Sequence, residues 1–151
     1  MSVDYSVFLK EVTPYVHDVP DMVAINAIRN ACIEFCDESL WLLYTQPDQN
    51  GVANQSDYPL VLPAGTTSAR ILDAWYNHLY LSPKGEDEIK RIYPYDWRLQ
   101  PGQPQYITHL VPDIVRVVPV PMIDQAAALS VIVALRPTRA STTVDDSLYE
   151  R

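Results

Sequence analysis

Thirteen prolines set against four glycines constrain this 151-residue chain more than any other feature. Each proline fixes φ, removes a backbone donor and pushes the preceding residue out of the helical region. A chain built this way has stiff, extended connections and many forced element ends. Its length is that of one domain, able to bury roughly 70% of the surface its unfolded form exposes without staples. An apolar fraction of 48% and a charged fraction of 20% are those of an ordinary globular protein.

Two helical stretches are expected first. Asp4 or Ser6 caps a short one carrying Val7, Phe8 and Val12, which Pro14 closes. Asp18, Pro20 and Asp21 mark the start of a long helix, because proline suits a first turn and acids suit the positive helix end. From Met22 to about Tyr44 apolar residues recur at helical spacing through Ile25, Ile28, Cys32 and Phe35 or Cys36. Ala24, Ala27 and Ala31 flank that stripe and allow a neighbouring helix to approach closely.

The segment 46–57 reads as a loop of turn formers, and strand character begins after it. Strands are expected over 58–62, 67–76, 79–81, 105–110, 113–120 and 128–135. The runs Ala74-Trp75-Tyr76 and Leu79-Tyr80-Leu81 flank Asn77-His78, the pattern of a two-residue hairpin. A short helix is placed within 83–92, where Glu86, Asp87 and Glu88 precede Lys90 and Arg91. The strand over 128–135 is apolar on both faces and is therefore expected to be central and covered. Pro119 and Pro121 must lie at an edge or outside a ladder. The expectation is an α+β fold: a short and a long amphipathic helix within 4–46 packed with an antiparallel β-region over 58–135. One domain spans 1–135, and 136–151 forms an extended C-terminal arm.

Chemistry is sparse along this chain. Cys32 and Cys36 lie four apart on one helix face, half of a metal or redox site at most, and read as small buried hydrophobes. His17, His78 and His109 fall on three different elements with no companion pattern. The four glycines are too scattered for a phosphate-cradling loop. The acids 86–88 and Asp145-Asp146 are explained by helix-end electrostatics. No catalytic residue, metal ligand or cofactor is expected. The aromatic set Trp75, Tyr76, Tyr80, Tyr93, Tyr95, Trp97 and Tyr106 suits either sheet packing or surfaces that meet a partner. A formal charge of −8 argues against wrapping nucleic acid, though not against standing beside DNA that must slide without sticking. The N-terminus lacks the blocks of a signal peptide, and the longest apolar run, Leu40 to Tyr44, is too short to span a bilayer. A protein made in the cytoplasm, with no membrane partner, is expected.

The order of segments resembles one known family. Val12-Thr13-Pro14-Tyr15-Val16 through Val19-Pro20, then Ala27-Ile28-Arg29-Asn30-Ala31-Cys32-Ile33-Glu34-Phe35-Cys36, is similar to the opening of tailed-bacteriophage head-to-tail adaptor proteins. Further along, Ile71-Leu72-Asp73-Ala74-Trp75-Tyr76, Trp97-Arg98, Gly102-Gln103-Pro104 and Val118-Pro119-Val120-Pro121 keep the same order. So does Val131-Ile132-Val133-Ala134-Leu135-Arg136-Pro137, running into Asp145-Asp146-Ser147-Leu148-Tyr149. Members of that family continue beyond the position of Arg151 with a further amphipathic helix.

The resemblance implies a structural virion protein of the neck that is not an enzyme. Identical copies would form a ring, dodecameric to match the portal protein above it, that extends the DNA channel and carries downstream tail or nozzle proteins. Genomic DNA would pass through without sequence-specific binding. The resemblance further implies that a C-terminal segment hooks the portal, which makes Arg136, Pro137, Thr138, Arg139, Thr142, Thr143, Val144, Leu148 and Tyr149 the candidate partner contacts. The alternatives are another neck or tail-completion protein, separated by the long N-terminal helix, and a small metal- or ligand-binding protein using Cys32, Cys36 and a histidine.

Overall fold

A computed structural model describes residues 1–150. Strands dominate it. In chain order the elements are β1 (Ser2–Asp4), a 3-10 turn (Tyr5–Phe8), α1 (Leu9–Val12), α2 (Asp21–Ser39), β2 (Leu42–Thr45), β3 (Gln49–Gly51), β4 (Asp57–Pro59), β5 (Thr66–Tyr76) and β6 (Leu79–Pro83). Then come α3 (Glu86–Ile92), β7 (Tyr106–Val111), β8 (Ile114–Val118), β9 (Gln125–Pro137), β10 (Thr143–Asp145) and a closing 3-10 turn (Asp146–Leu148).

Eight strands form one curled sheet in the order β2-β9-β5-β6-β7-β8-β4, with β3 also paired to β9. Its spine is the antiparallel pair β5–β9, which runs from Thr66 opposite Pro137 to Tyr76 opposite Leu129. Two register shifts interrupt that ladder, between Ser68 and Arg70 and between Ile71 and Asp73. Bulges of this kind bend a strand and increase its twist, which curls the sheet. The hairpin β5–β6 turns through Asn77 and His78, both with positive φ, as its two-residue connection requires. Strand β6 then pairs parallel to β7, so the sheet is mixed.

Curling places the first and last strands around one core. Tyr58 from β4, Ile107 from β7, Val115 and Val117 from β8, and Leu129, Val131 and Val133 from β9 are all buried in a single cluster. Side chains close the seam where no ladder runs: the Gln49 amide donates to the Pro59 carbonyl at 2.6 Å, and the Val61 N–H donates to Gln46 Oε1 at 3.2 Å. The Tyr58 hydroxyl accepts from Val52 N–H and donates to the Gln55 carbonyl. A second, smaller cluster joins Ile89 of α3 to Trp97 and Val118, with Tyr93 and Tyr106 beside it.

This architecture corrects the expected α+β arrangement. A helix does cover most of the expected stretch, but it ends at Ser39, where Leu40 takes a left-handed conformation, and Leu42–Thr45 is a strand. More important, α2 is not half of the core. Cys36 is its only buried residue, while Met22, Val23 and Phe35 are exposed. The helix leans on β9, and the curled sheet buries its own interior. The apolar stripe reported helical periodicity correctly; periodicity carries no information about what a stripe meets. The C-terminal segment is likewise not extended away from the body: β10 pairs with β1 at the other end of the chain. Among the described residues, no helix is long and apolar enough to cross a membrane.

Candidate functional site

The candidate contact residues of the C-terminal segment are placed by α2, by β5 with the Gly65 turn before it, and by the first eight residues. Arg136 and Pro137 still belong to β9, and the Arg136 guanidinium reaches Asp37 of α2 at 2.6 Å. The Thr138 N–H donates to the Gly65 carbonyl. Ser141 is buried, donates its hydroxyl hydrogen to the Thr138 carbonyl at 2.8 Å, and shares a 2.9 Å hydrogen bond with the Tyr5 hydroxyl. Val144 is buried opposite Val3. Asp145 caps the last turn by accepting from Ser147 N–H, and the Tyr149 ring meets Phe8 edge-on at 5.2 Å. Arg139, Thr142 and Thr143 are exposed, Leu148 and Tyr149 half-buried, Pro137 and Val144 enclosed within the chain. Among the nine, Arg139 and Thr142 face solvent, Arg136, Pro137 and Thr138 are held by α2, β5 and Gly65, and Thr143, Val144 and Tyr149 meet the N-terminal segment.

Large apolar side chains stand exposed on two other surfaces. One lies along the connection from α1 into α2: Tyr15, Val16, Val19, Met22 and Val23, with Phe35 further along the helix. The other sits at the loop end of the sheet, where Asn54 N–H donates to the Pro121 carbonyl and Ala53 N–H to Asp124. Val52, Met122 and Ile123 are exposed there. Single exposed apolar residues are normal, whereas groups of them mark interaction surfaces. The aromatic set divides in the same manner. Tyr76 and Trp97 are buried, and Tyr93 packs on Tyr106, but Tyr80 is half exposed and Tyr95 is 85% exposed.

Cys36 is fully buried and Cys32 partly so; burial pushes the Cys36 thiol up to about 11, with Cys32, Asp37 and Asp145 adding to the effect. No group of three or more metal-ligating side chains occurs among the described residues. His17 and His78 are exposed in a connection and in the hairpin turn. Glu86 heads α3 and pairs with Lys90 at 3.0 Å and with Arg98 at 3.5 Å.

One contact between reactive residue types escaped the sequence. Ser68 Oγ lies 2.6 Å from His109 Nε2, although 41 residues separate them. The Ser68 hydroxyl donates to the Pro112 carbonyl, and His109 Nε2 lies 3.0 Å from the same oxygen. Ser68 is only 3% exposed, and desolvation holds the His109 ring below its usual value. With its hydrogen committed to a carbonyl, this hydroxyl serves as a tie. Together with the Thr67–Asp113 hydrogen bond at 2.8 Å it pins the start of β5 to the β7–β8 turn.

A further cluster surrounds Trp97. Arg116 reaches Asp57 through two bonds of 2.5 and 2.8 Å, and the guanidinium carbons of Arg116 and Arg98 stand 5.5 and 5.4 Å from the Trp97 ring centre. Arginine planes over an indole gain from its quadrupole and pin an otherwise irregular connection to β8. Trp97 and its arginines are visible in sequence only as types; their convergence depends on the sheet curling. No known protein-family model matches the sequence, and no curated protein matches it either.

Proposed function

We propose that this chain is a structural subunit of a tailed-bacteriophage neck: a head-to-tail adaptor whose copies form a ring beneath the portal, extend the DNA channel and seat the tail proteins. The observation that carries this reading is the pair of separate exposed apolar surfaces, one on the α1–α2 connection and helix α2, the other at the Val52, Met122 and Ile123 loop end. Two different patches on one subunit favour heterologous, head-to-tail contacts, and such contacts close into rings when the rotation allows. The ordered run of family-like segments along nearly the whole chain supports the same reading, as does the acidic character, since a wall of negative charge lets DNA slide past. Exposed Arg139, Thr142 and Thr143 are the part of the C-terminal segment available to a portal.

The test is retention. Purified portal rings are mixed with the chain and separated by size; the reading expects co-migration of many copies per portal ring, reduced by Met122→Asp together with Ile123→Asp. A portal ring that retains no copies contradicts it.

A further inference from the structure

The first eight residues form a wedge between the C-terminal segment and α2. Strand β1 pairs with β10 in the register Ser2–Asp145, Val3–Val144 and Asp4–Thr143. Tyr5 is 1% exposed, bonds Ser141 through its hydroxyl, and lies under the Arg29 guanidinium at 5.4 Å. Phe8 meets Tyr149. The wedge thus grips both the C-terminal segment and the helix, and each of these contacts is made before Leu9.

The connection from α1 to α2 is of a different character. Residues 13–20 are all exposed, and the backbone hydrogen bonds donated by Thr13, Tyr15 and Val16 reach back no further than Leu9. Pro14 and Pro20 stiffen this connection toward extended geometry. Where it folds back, the chain passes through Asp18 with φ of +61°, in the left-handed region that aspartate tolerates better than most residues but glycine adopts more readily. Eight residues span at most about 29 Å when extended. Tyr15, Val16 and Val19 on this connection are apolar and exposed.

We infer that the N-terminal wedge is exchanged between adjacent copies of this chain, so that residues 1–12 of one subunit close over the β10 segment and α2 of the next. That the neighbour is another copy rests on the ring reading. Exchange repeats the same contacts in trans and so loses none of them. It also straightens the connection, relaxes Asp18, and lays Tyr15, Val16 and Val19 across the junction between subunits. In a ring each copy both gives and receives one wedge, so every C-terminal segment is fixed by its neighbour only after assembly.

Cysteine pairing tests this directly. In chains carrying Cys32→Ala and Cys36→Ala, Val3→Cys is placed in one chain and Val144→Cys in another, distinguishable by size; the two are mixed, allowed to assemble and oxidised. Exchange predicts disulfide-linked heterodimers, and the double variant in a single chain predicts a ladder of covalent multimers. Unlinked single variants, with internally bridged monomers from the double variant, overturn it. Asp18→Gly, which removes the cost of the folded-back form, is expected to shift the double variant toward internally bridged monomer; an unchanged distribution counts against the hinge. Failure here with co-migration on portal rings intact sinks exchange alone, whereas loss of portal retention with heterodimers present sinks the portal-adaptor reading and leaves exchange between copies standing.

Discussion

Tyr76 is enclosed in the core, where its hydroxyl lies by that of Tyr58 but makes no hydrogen bond of good geometry among the described residues, and burial together with the Tyr58 interaction pushes it up to about 12. An unpaired buried hydroxyl is a net loss relative to water, so Tyr76→Phe is expected to leave stability unchanged or raise it by about 1 kcal/mol in urea unfolding. A drop of that size would mean that the hydroxyl is bonded. Gly51 exists for the same side chain: a Cβ there would collide with the Tyr76 oxygen and stand 3.2 Å from the Ala128 methyl. Gly51→Ala is expected to destabilise by about 1–3 kcal/mol, because a buried ring cannot swing away, and less in a Tyr76→Phe background. Asp57 shows the electrostatic counterpart. Its hydrogen bonds from Arg116 hold the carboxyl below the usual carboxylate range. A depressed folded value means that the contribution is present above the unfolded carboxyl value and lost as pH falls through the folded one. Asp57→Asn should therefore flatten part of the acid limb of stability against pH; an unaltered limb would show that the pair is not formed.

At the scale of elements, the parts readable from sequence are those whose cause is local. The β5–β6 hairpin arises from Asn77-His78 between aromatic runs, and β9 from a stretch apolar on both faces. Strand β2 is not readable, because Leu42, Leu43 and Tyr44 continue the helical stripe and no glycine marks the left-handed Leu40 that ends α2. Strand β3 hides among turn formers, Gln49-Asn50-Gly51, and exists because β9 offers it an edge. The β1–β10 ribbon joins opposite ends of the chain and has no local signal at all. The Ser68–His109 tie and the Trp97 cluster fail to show for the same reason. Where the core lies is testable: Leu129→Ala in β9 should cost about 2–4 kcal/mol, while Phe35→Ala on the outer side of α2 should change stability by no more than about 0.5 kcal/mol. The reverse ranking would restore the helix as a core layer.

At the scale of the whole molecule, a curled sheet supplies its own interior and leaves the outward side of α2, the α1–α2 connection and the loop end free to meet other surfaces. That division separates stability from assembly, so surface substitutions can abolish association without unfolding the subunit. Met122→Asp with Ile123→Asp should leave stability within about 0.5 kcal/mol of the parent and still weaken ring formation. The most direct measurement is electron-microscopic density of the neck in purified particles. A ring of subunits shaped like this curled sheet, directly beneath the portal and surrounding the DNA channel, is the predicted result; particles whose neck contains no such subunit would contradict it.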